Sequence, residues 1–197
     1  DIGCGDGAIT NSFAEKYIVN AVDISSEALN HLDKRISSIV CDARFLPWKD
    51  RSFDLVFSSE MIEHLPFIDE SRFFYEVKRV LKPGGIMQVS TVDFEKTVKQ
   101  WLDAEDDWKD FYKDDDQSIH DQHWFGTYTY QPKNRWGYLT ATFYGSQNGA
   151  GQFHTNCYTE KKLSAICQHL NMDVVSIDKF QWKDDRDHML RLTAKNK

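Results

Sequence analysis

An α/β domain built around a parallel sheet is the architecture this sequence predicts, and three observations predict it. Helix-like and strand-like segments alternate from residue 8 to residue 92 at the spacing of βαβ units. A glycine cluster, "DIGCGDG", stands ahead of them. Two of the strand-like segments that follow end in an aspartate, Asp23 and Asp42. At 197 residues and 41% hydrophobic content the chain can bury one substantial core, so one domain over 1–197 is the expectation.

Taken in order, "AITNSFAEKY" can form a helix, "IVNAVD" a strand ending at Asp23, and "SSEALNHLDKRI" a helix capped by Ser25 or Ser26. "SSIVCD" is a strand ending at Asp42, and "FDLVFSS" has the apolar run of a strand buried on both faces. In "DESRFFYEVKRVLKPGG" the residues Phe73, Phe74, Val77, Val80 and Leu81 recur at helical spacing before Pro83, Gly84 and Gly85 stop the helix. "IMQVST" is the next strand. The alternation then breaks over 93–158, a stretch holding more than half of the aromatic residues, among them Trp101, Trp108, Trp124 and Phe143. Such a segment is too aromatic for a disordered linker and reads as a packed insertion over one end of the sheet. Regular structure resumes with the helix "TEKKLSAICQHLNM", striped by Leu163, Ile166, Cys167 and Leu170, with Asn171 able to take a left-handed cap. "DVVSIDKF" and "DHMLRLTAK", joined by the short "QWKDDR", form a hairpin that brings the last strand into the sheet antiparallel.

Composition excludes several classes. The four cysteines, Cys4, Cys41, Cys157 and Cys167, make no CxxC pair, so reduced thiols in a cytoplasmic protein are expected. No apolar run approaches the length of a membrane span. The formal charge of −7 offers no footprint for polyanions, and the acidic run Asp103 to Asp116, read as a solvated helix face, repels a phosphate backbone. Nucleic acid is a disfavoured partner.

The chemistry sits at the strand ends. Glycines at 3, 5 and 7 let the backbone turn sharply and approach a ligand, with the following helix offering free N–H groups. The spacing is GxGxG, one residue short of the GxGxxG of dinucleotide-binding folds. Asp23 stands where a carboxylate can accept both hydroxyls of a ribose, and Asp42, beside Ala43, where an adenine amino group can be met.

Together, "DIGCGDG", "AVDIS", "CDARFLPW", "FDLVFSSEMIEHL" and "VLKPGGIMQVS" resemble, in order, the class I S-adenosylmethionine-dependent methyltransferases of the ubiquinone-methyltransferase-like superfamily. The resemblance covers residues 1 to about 92, and 159–194 look like that family's closing αββ unit. It implies a Rossmann-like seven-stranded sheet of order 3-2-1-4-5-7-6 with strand 7 antiparallel. It also implies S-adenosylmethionine as cofactor and S-adenosylhomocysteine as product. By the same resemblance Asp1, Gly3, Cys4 and Gly5 lie against the methionine part, Asp23 holds the ribose, Ile24 packs on the adenine, and Asp42 and Ala43 contact its edge. Ser58 and Ser59 line the floor near the sulfonium. The family's first strand precedes the position of Asp1, and losing its roughly four buried apolar residues would forfeit about 6–12 kcal/mol, as much as a domain's whole stability. A strand, and with it a helix, is therefore expected upstream.

Methyl transfer from a sulfonium is an in-line displacement whose leaving group needs no proton, so positioning supplies much of the acceleration. A base is needed only where the acceptor must lose a proton, and His64, His120, His123 and His154 are the candidates. Glu60, Glu63 and His64 form an ExxEH pattern that on a helix puts Glu60 and His64 on one face. The pattern is similar to the metal-binding segment of small-RNA 3′-end 2′-O-methyltransferases and to the "EHL" of ubiquinone O-methyltransferases. A divalent metal there is possible and not favoured, since one histidine and two glutamates need further ligands that sequence does not locate. Tyr128, Tyr130, Trp136 and Tyr144 of the insertion are candidates for lining the acceptor pocket.

The resulting expectation is methyl transfer to a small molecule or biosynthetic intermediate at oxygen, with the insertion selecting the acceptor. The competitors are a metal-dependent RNA 2′-O-methyltransferase, a non-catalytic S-adenosylmethionine-binding module, and a nicotinamide dehydrogenase, which the glycine spacing opposes.

Overall fold

The computed structural model describes residues 1–104, 138–145, 147, 151–182 and 186–197. His120, His123, Trp108, Trp124, Tyr128, Tyr130, Trp136 and most of the acidic run lie outside the described residues.

Two sheets carry the fold. The smaller pairs β1 (Asn20–Asp23) with β2 (Ser37–Val40) in parallel, and the larger has the order β3-β4-β6-β5. Its strands are β3 (Phe53–Ser59), β4 (Leu81–Val92), β5 (Met172–Trp182) and β6 (Arg186–Asn196). β3 and β4 run parallel, whereas β6 lies antiparallel to both β4 and β5, as the closing hairpin predicts. Ile2 links the sheets: it forms a parallel bridge with Val22, and its N–H donates to the Phe57 carbonyl at 2.9 Å. Beyond Ile2 the edges of β1 and β3 diverge around a groove of about 610 Å³, lined by Phe13, Ile18, Asn20, Leu55, Phe57 and Trp48 among others.

That groove explains one departure from the sequence reading. β3 is expected to be buried on both faces, yet Asp54 and Leu55 are exposed, because this half of the strand borders the groove. A second departure concerns the helix stop. α3 (Glu70–Val80) ends at Val80, and β4 begins at once with Leu81. Phe53 pairs with Leu81 and Leu55 with Ile86, so Lys82 to Gly85 stand opposite Asp54 alone. Pro83, with no N–H to give a ladder, is accommodated in that bulge. The first two helices, α1 (Thr10–Phe13) and α2 (Ser26–Leu29), are shorter than expected, a single turn each, and β2 stops at Val40, two residues before Asp42. α2 does carry its expected cap, the Ser25 hydroxyl accepting from the Ala28 N–H at 3.2 Å.

The core joins helices to the larger sheet. Phe73, Phe74, Val77 and Val80 of α3 are buried in one cluster with Met87 and Val89 of β4, Leu190 and Leu192 of β6, and Leu163 and Cys167 of α6 (Glu160–His169). Each such side chain contributes about 1.5–3 kcal/mol by leaving water. α6 is capped by the Thr159 hydroxyl, and Asn171 takes the left-handed conformation (φ 52°) that ends it. Within 93–158 the described parts are α4 (Phe94–Asp103), α5 (Tyr138–Tyr144) and the segment returning to Tyr158. Phe94 and Phe143 meet edge to face at 5.5 Å, and an Asp93–Tyr158 bridge closes the base of the excursion. Among the described residues no helix is long and apolar enough to cross a membrane, and all four cysteines are free thiols.

Candidate functional site

The C-terminal ends of β1, β3 and β4, where parallel α/β sheets collect ligands, bring together two sets of groups. The first is the glycine turn. Gly3, Gly5 and Gly7 all have positive φ. A Cβ on Gly3 would stand 2.2 Å from the Met61 Cγ, so Gly3 lets the turn press against the segment after β3. A Cβ on Gly5 would meet nothing within 4 Å, so there the turn faces open space.

Asp23 fastens this turn. One carboxylate oxygen accepts from the Gly5 N–H at 2.8 Å and the other from the Ser25 N–H at 2.9 Å. The acid thus ties the glycine turn to the start of α2 and still has lone pairs to offer, since a carboxylate has about four acceptor sites. Asp1 accepts from the Thr10 hydroxyl at 2.5 Å. Cys4 is half-buried, and burial with the nearby Asp23 charge pushes its thiol up to about 11, so it stands here as a neutral thiol and not a nucleophile. Ile24 is exposed on the rim, 75% accessible.

The structure engages Asp42 elsewhere. Arg44 donates to it from Nε at 2.9 Å and Nη2 at 2.6 Å, and pairs with Asp69 as well. The Arg44 hydrogen bond holds the Asp42 carboxyl below its ordinary range. Ala43, next to it, is partly buried against the core. Ser58 and Ser59 do not both face the site. Alternate residues of a strand point to opposite sides, and Ser58 is fully covered with its hydroxyl unpartnered, whereas Ser59 bonds the Ser90 hydroxyl at 2.6 Å.

The second set lies just past the end of β3. Glu60 is left-handed (φ 52°), a strained backbone for a residue with a side chain, and its N–H donates to the Ser90 carbonyl. Ile62–His64 then form one 3-10 turn, not an α-helix. The expected shared face of Glu60 and His64 is therefore not built, and Glu60 is exposed. In its place the fold delivers His154. One ligating atom each from Glu63, His64 and His154 lie within 4.8 Å of one another, and the two imidazoles stand edge to face at 4.8 Å.

The return segment is stitched to this turn by the Thr155 and Asn156 N–H groups, both donating to the Glu63 carbonyl, and by the Thr155 hydroxyl on the His64 carbonyl. Each imidazole donates its Nδ1–H to a main-chain carbonyl, His64 to Phe153 at 3.0 Å and His154 to Thr142 at 2.8 Å. That fixes the tautomer and leaves each Nε2 with a lone pair. Burial lowers the His64 pKa, and burial together with the His64 charge takes His154 to about 4. Glu63 is buried, accepts from the Thr91 hydroxyl at 2.9 Å, and is pushed up to about 8 by loss of water. Tyr144 is exposed beside this corner, its carbonyl accepting from the His154 N–H. Sequence reasoning names both histidines but does not pair them, because no local spacing joins residues of such separation.

Residues 1–89 match the family model described as a methyltransferase domain. Over 95 residues the chain is 36% identical to phosphoethanolamine N-methyltransferase 2 of Caenorhabditis elegans, an alignment covering 43% of this chain and 21% of that protein. Over 122 residues it is 31% identical to the ubiquinone biosynthesis O-methyltransferase of Pasteurella multocida, covering 51% and 48%. The chain thus spans between about a fifth and a half of these relatives. Its fold matches that of Burkholderia thailandensis 1,6-didemethyltoxoflavin-N1-methyltransferase, solved with bound 1,6-didemethyltoxoflavin and S-adenosylhomocysteine. There the TM-score is 0.62 and the identity 15%, over 100% of this chain and 69% of that one.

Proposed function

We propose that this chain, which by its fold and its first 89 residues is a class I S-adenosylmethionine-dependent methyltransferase, moves the methyl group of that cofactor to an oxygen of a small-molecule acceptor. The observation that carries the reading is Asp23, whose carboxylate clamps the Gly5 turn and the start of α2 beside open space. The residues present fit the cofactor. Ribose hydroxyls can donate to the remaining lone pairs of Asp23, Ile24 can cover the adenine, and the open side of Gly5 admits the amino-acid part next to Asp1, Gly3 and Cys4.

S-adenosylmethionine, when bound, supplies an electrophilic methyl on a sulfonium. The protein's part is alignment, because in-line geometry and exclusion of water account for much of such a rate enhancement. Ser59 and the strained Glu60 set the floor at the end of β3. The Glu63–His64–His154 corner meets the acceptor hydroxyl on the other side, with Tyr144 of α5 beside it as part of the wall that selects the acceptor. Oxygen is the acceptor atom favoured by this corner: a hydroxyl must shed its proton as it attacks, and two uncharged imidazole edges suit that task. The full sheet order 3-2-1-4-5-7-6 is supported by the sequence of strands β2-β1, Ile2, β3-β4-β6-β5. Calorimetric titration with S-adenosylhomocysteine, run beside NADH, tests the reading. Binding of the former and not the latter is expected, and the reverse would refute it.

A further inference from the structure

We propose that Arg44 is a positioning residue for recognition of the cofactor's base: its guanidinium holds both oxygens of Asp42, bridges to Asp69, and leaves Asp42 Oδ2 one lone pair for an amino group. The proposal rests on the transferase reading and deepens it. Val40 pairs with Asp23 across the two parallel strands, and the Cys41 N–H donates to the Asp23 carbonyl at 2.9 Å, so a nucleoside whose ribose sits on Asp23 has its base beside Asp42. Counting donors shows what remains there. Asp42 Oδ1 accepts from the Arg44 main-chain N–H and from Nε, each at 2.9 Å, which fills it. Oδ2 accepts from Nη2 at 2.6 Å and shares the Nε proton at 3.1 Å, so it alone keeps room for a further full hydrogen bond. An ionised carboxylate only accepts. It therefore favours the adenine amino group and opposes an oxygen at the same position of the base.

The bridge to Asp69 separates this pair from an ordinary local turn. Asp33 and Arg35 make the same arrangement, main-chain N–H and Nε on one oxygen and Nη2 on the other, but among the described residues Arg35 hydrogen-bonds no third group. Arg44 Nη1 pairs with Asp69 as well. Asp69 occupies the N-cap position of α3, where an aspartate ordinarily accepts from a helix N–H, and its side chain makes no such bond. A helix cap is thus forgone, and the Arg44 fork is fixed to α3 and to Asp42 together.

The test is calorimetric titration of the full-length protein with S-adenosylhomocysteine and with S-inosylhomocysteine, in which an oxygen replaces the adenine amino group. The unsubstituted protein should prefer the former at least about 10-fold, the scale of one hydrogen bond to a charged group. Arg44→Gln should cut the preference to within about 3-fold, and Arg44→Lys, which keeps the charge without the fork, should fall between the two. Arg35→Gln should leave it unchanged. Asp42→Ala should abolish it, and adding Arg44→Gln to that variant should change nothing more, the signature of a residue that acts through another. A crystal structure of the unsubstituted complex is a readout that survives if a variant does not fold: the amino nitrogen should lie on Asp42 Oδ2 with the Arg44 bonds kept. Equal affinity for the two compounds, a preference that Arg44→Gln leaves whole or Arg35→Gln lowers as much, full preference in Arg44→Lys, a further loss in the double variant, or Arg44 detached from Asp42 in the complex would each overturn the proposal. Binding of neither compound would refute the transferase reading on which it rests.

Discussion

The glycine turn and the histidine corner occupy the same end of the sheet, but they are assembled in opposite ways. At the turn, every group from Asp1 to Ser25 comes from one short run of chain, and main-chain geometry does the positioning: positive φ at three glycines and two N–H groups on Asp23. At the corner, His64 and Phe153 are 89 positions apart in sequence, and the joins are hydrogen bonds between segments that only the fold brings together. A local site is set by its own residues, whereas a distributed one inherits its geometry from everything that packs around it. Damage should therefore act on ligand affinity at the turn and on order at the corner.

The sharpest way to break that contrast is Asp23→Ala. Removing a carboxylate that accepts charge-assisted hydrogen bonds, worth about 1.5–3 kcal/mol each, should weaken S-adenosylhomocysteine binding about 10- to 100-fold in calorimetry, and unchanged affinity would remove the turn from the account. Next comes Gly3→Ala. A left-handed φ and a Cβ directed into Met61 should cost about 2–5 kcal/mol, read as a lowered denaturant midpoint. Asn156→Ala probes the corner. Its side chain bonds Glu70, Tyr158 and Lys162, and its loss should cost about 1–2 kcal/mol and loosen the return segment, seen as faster amide exchange at Thr155 and Asn156, with cofactor affinity unaltered.

The smallest effect is electrostatic. The Asp42 carboxyl is held below its usual pKa by Arg44, so this pair's contribution is present above about pH 4 and disappears as the pH falls through the depressed value. Arg44→Gln should lower stability by up to about 1 kcal/mol at neutral pH, and the difference from the unsubstituted protein should shrink below pH 4 in denaturant titrations.

The same contrast explains what could be read in advance. The glycine turn, Asp23, the α3 stripe and the closing hairpin are periodic or contiguous, and sequence exposes them. The Pro83–Gly85 bulge was not legible because Pro and Gly after a helix signal a stop in isolation, and only pairing with β3 turns them into a strand irregularity. The face shared by Glu60 and His64 fails for a related reason: four residues of spacing imply a common face only on an α-helix, and a left-handed Glu60 followed by a 3-10 turn removes the premise. His154 could be named from sequence as a candidate but not paired with His64, since their meeting depends on where α5 and the return segment dock.

The central claim is that the turn clamped by Asp23 holds the adenosyl moiety of the cofactor. A crystal structure of the full-length protein with S-adenosylhomocysteine tests it most directly. The account predicts ribose hydroxyls on Asp23, adenine beneath Ile24 and sulfur directed at the Ser59 end of β3. The ligand seated elsewhere, for instance in the groove between β1 and β3, or a vacant turn at saturating ligand, would contradict it.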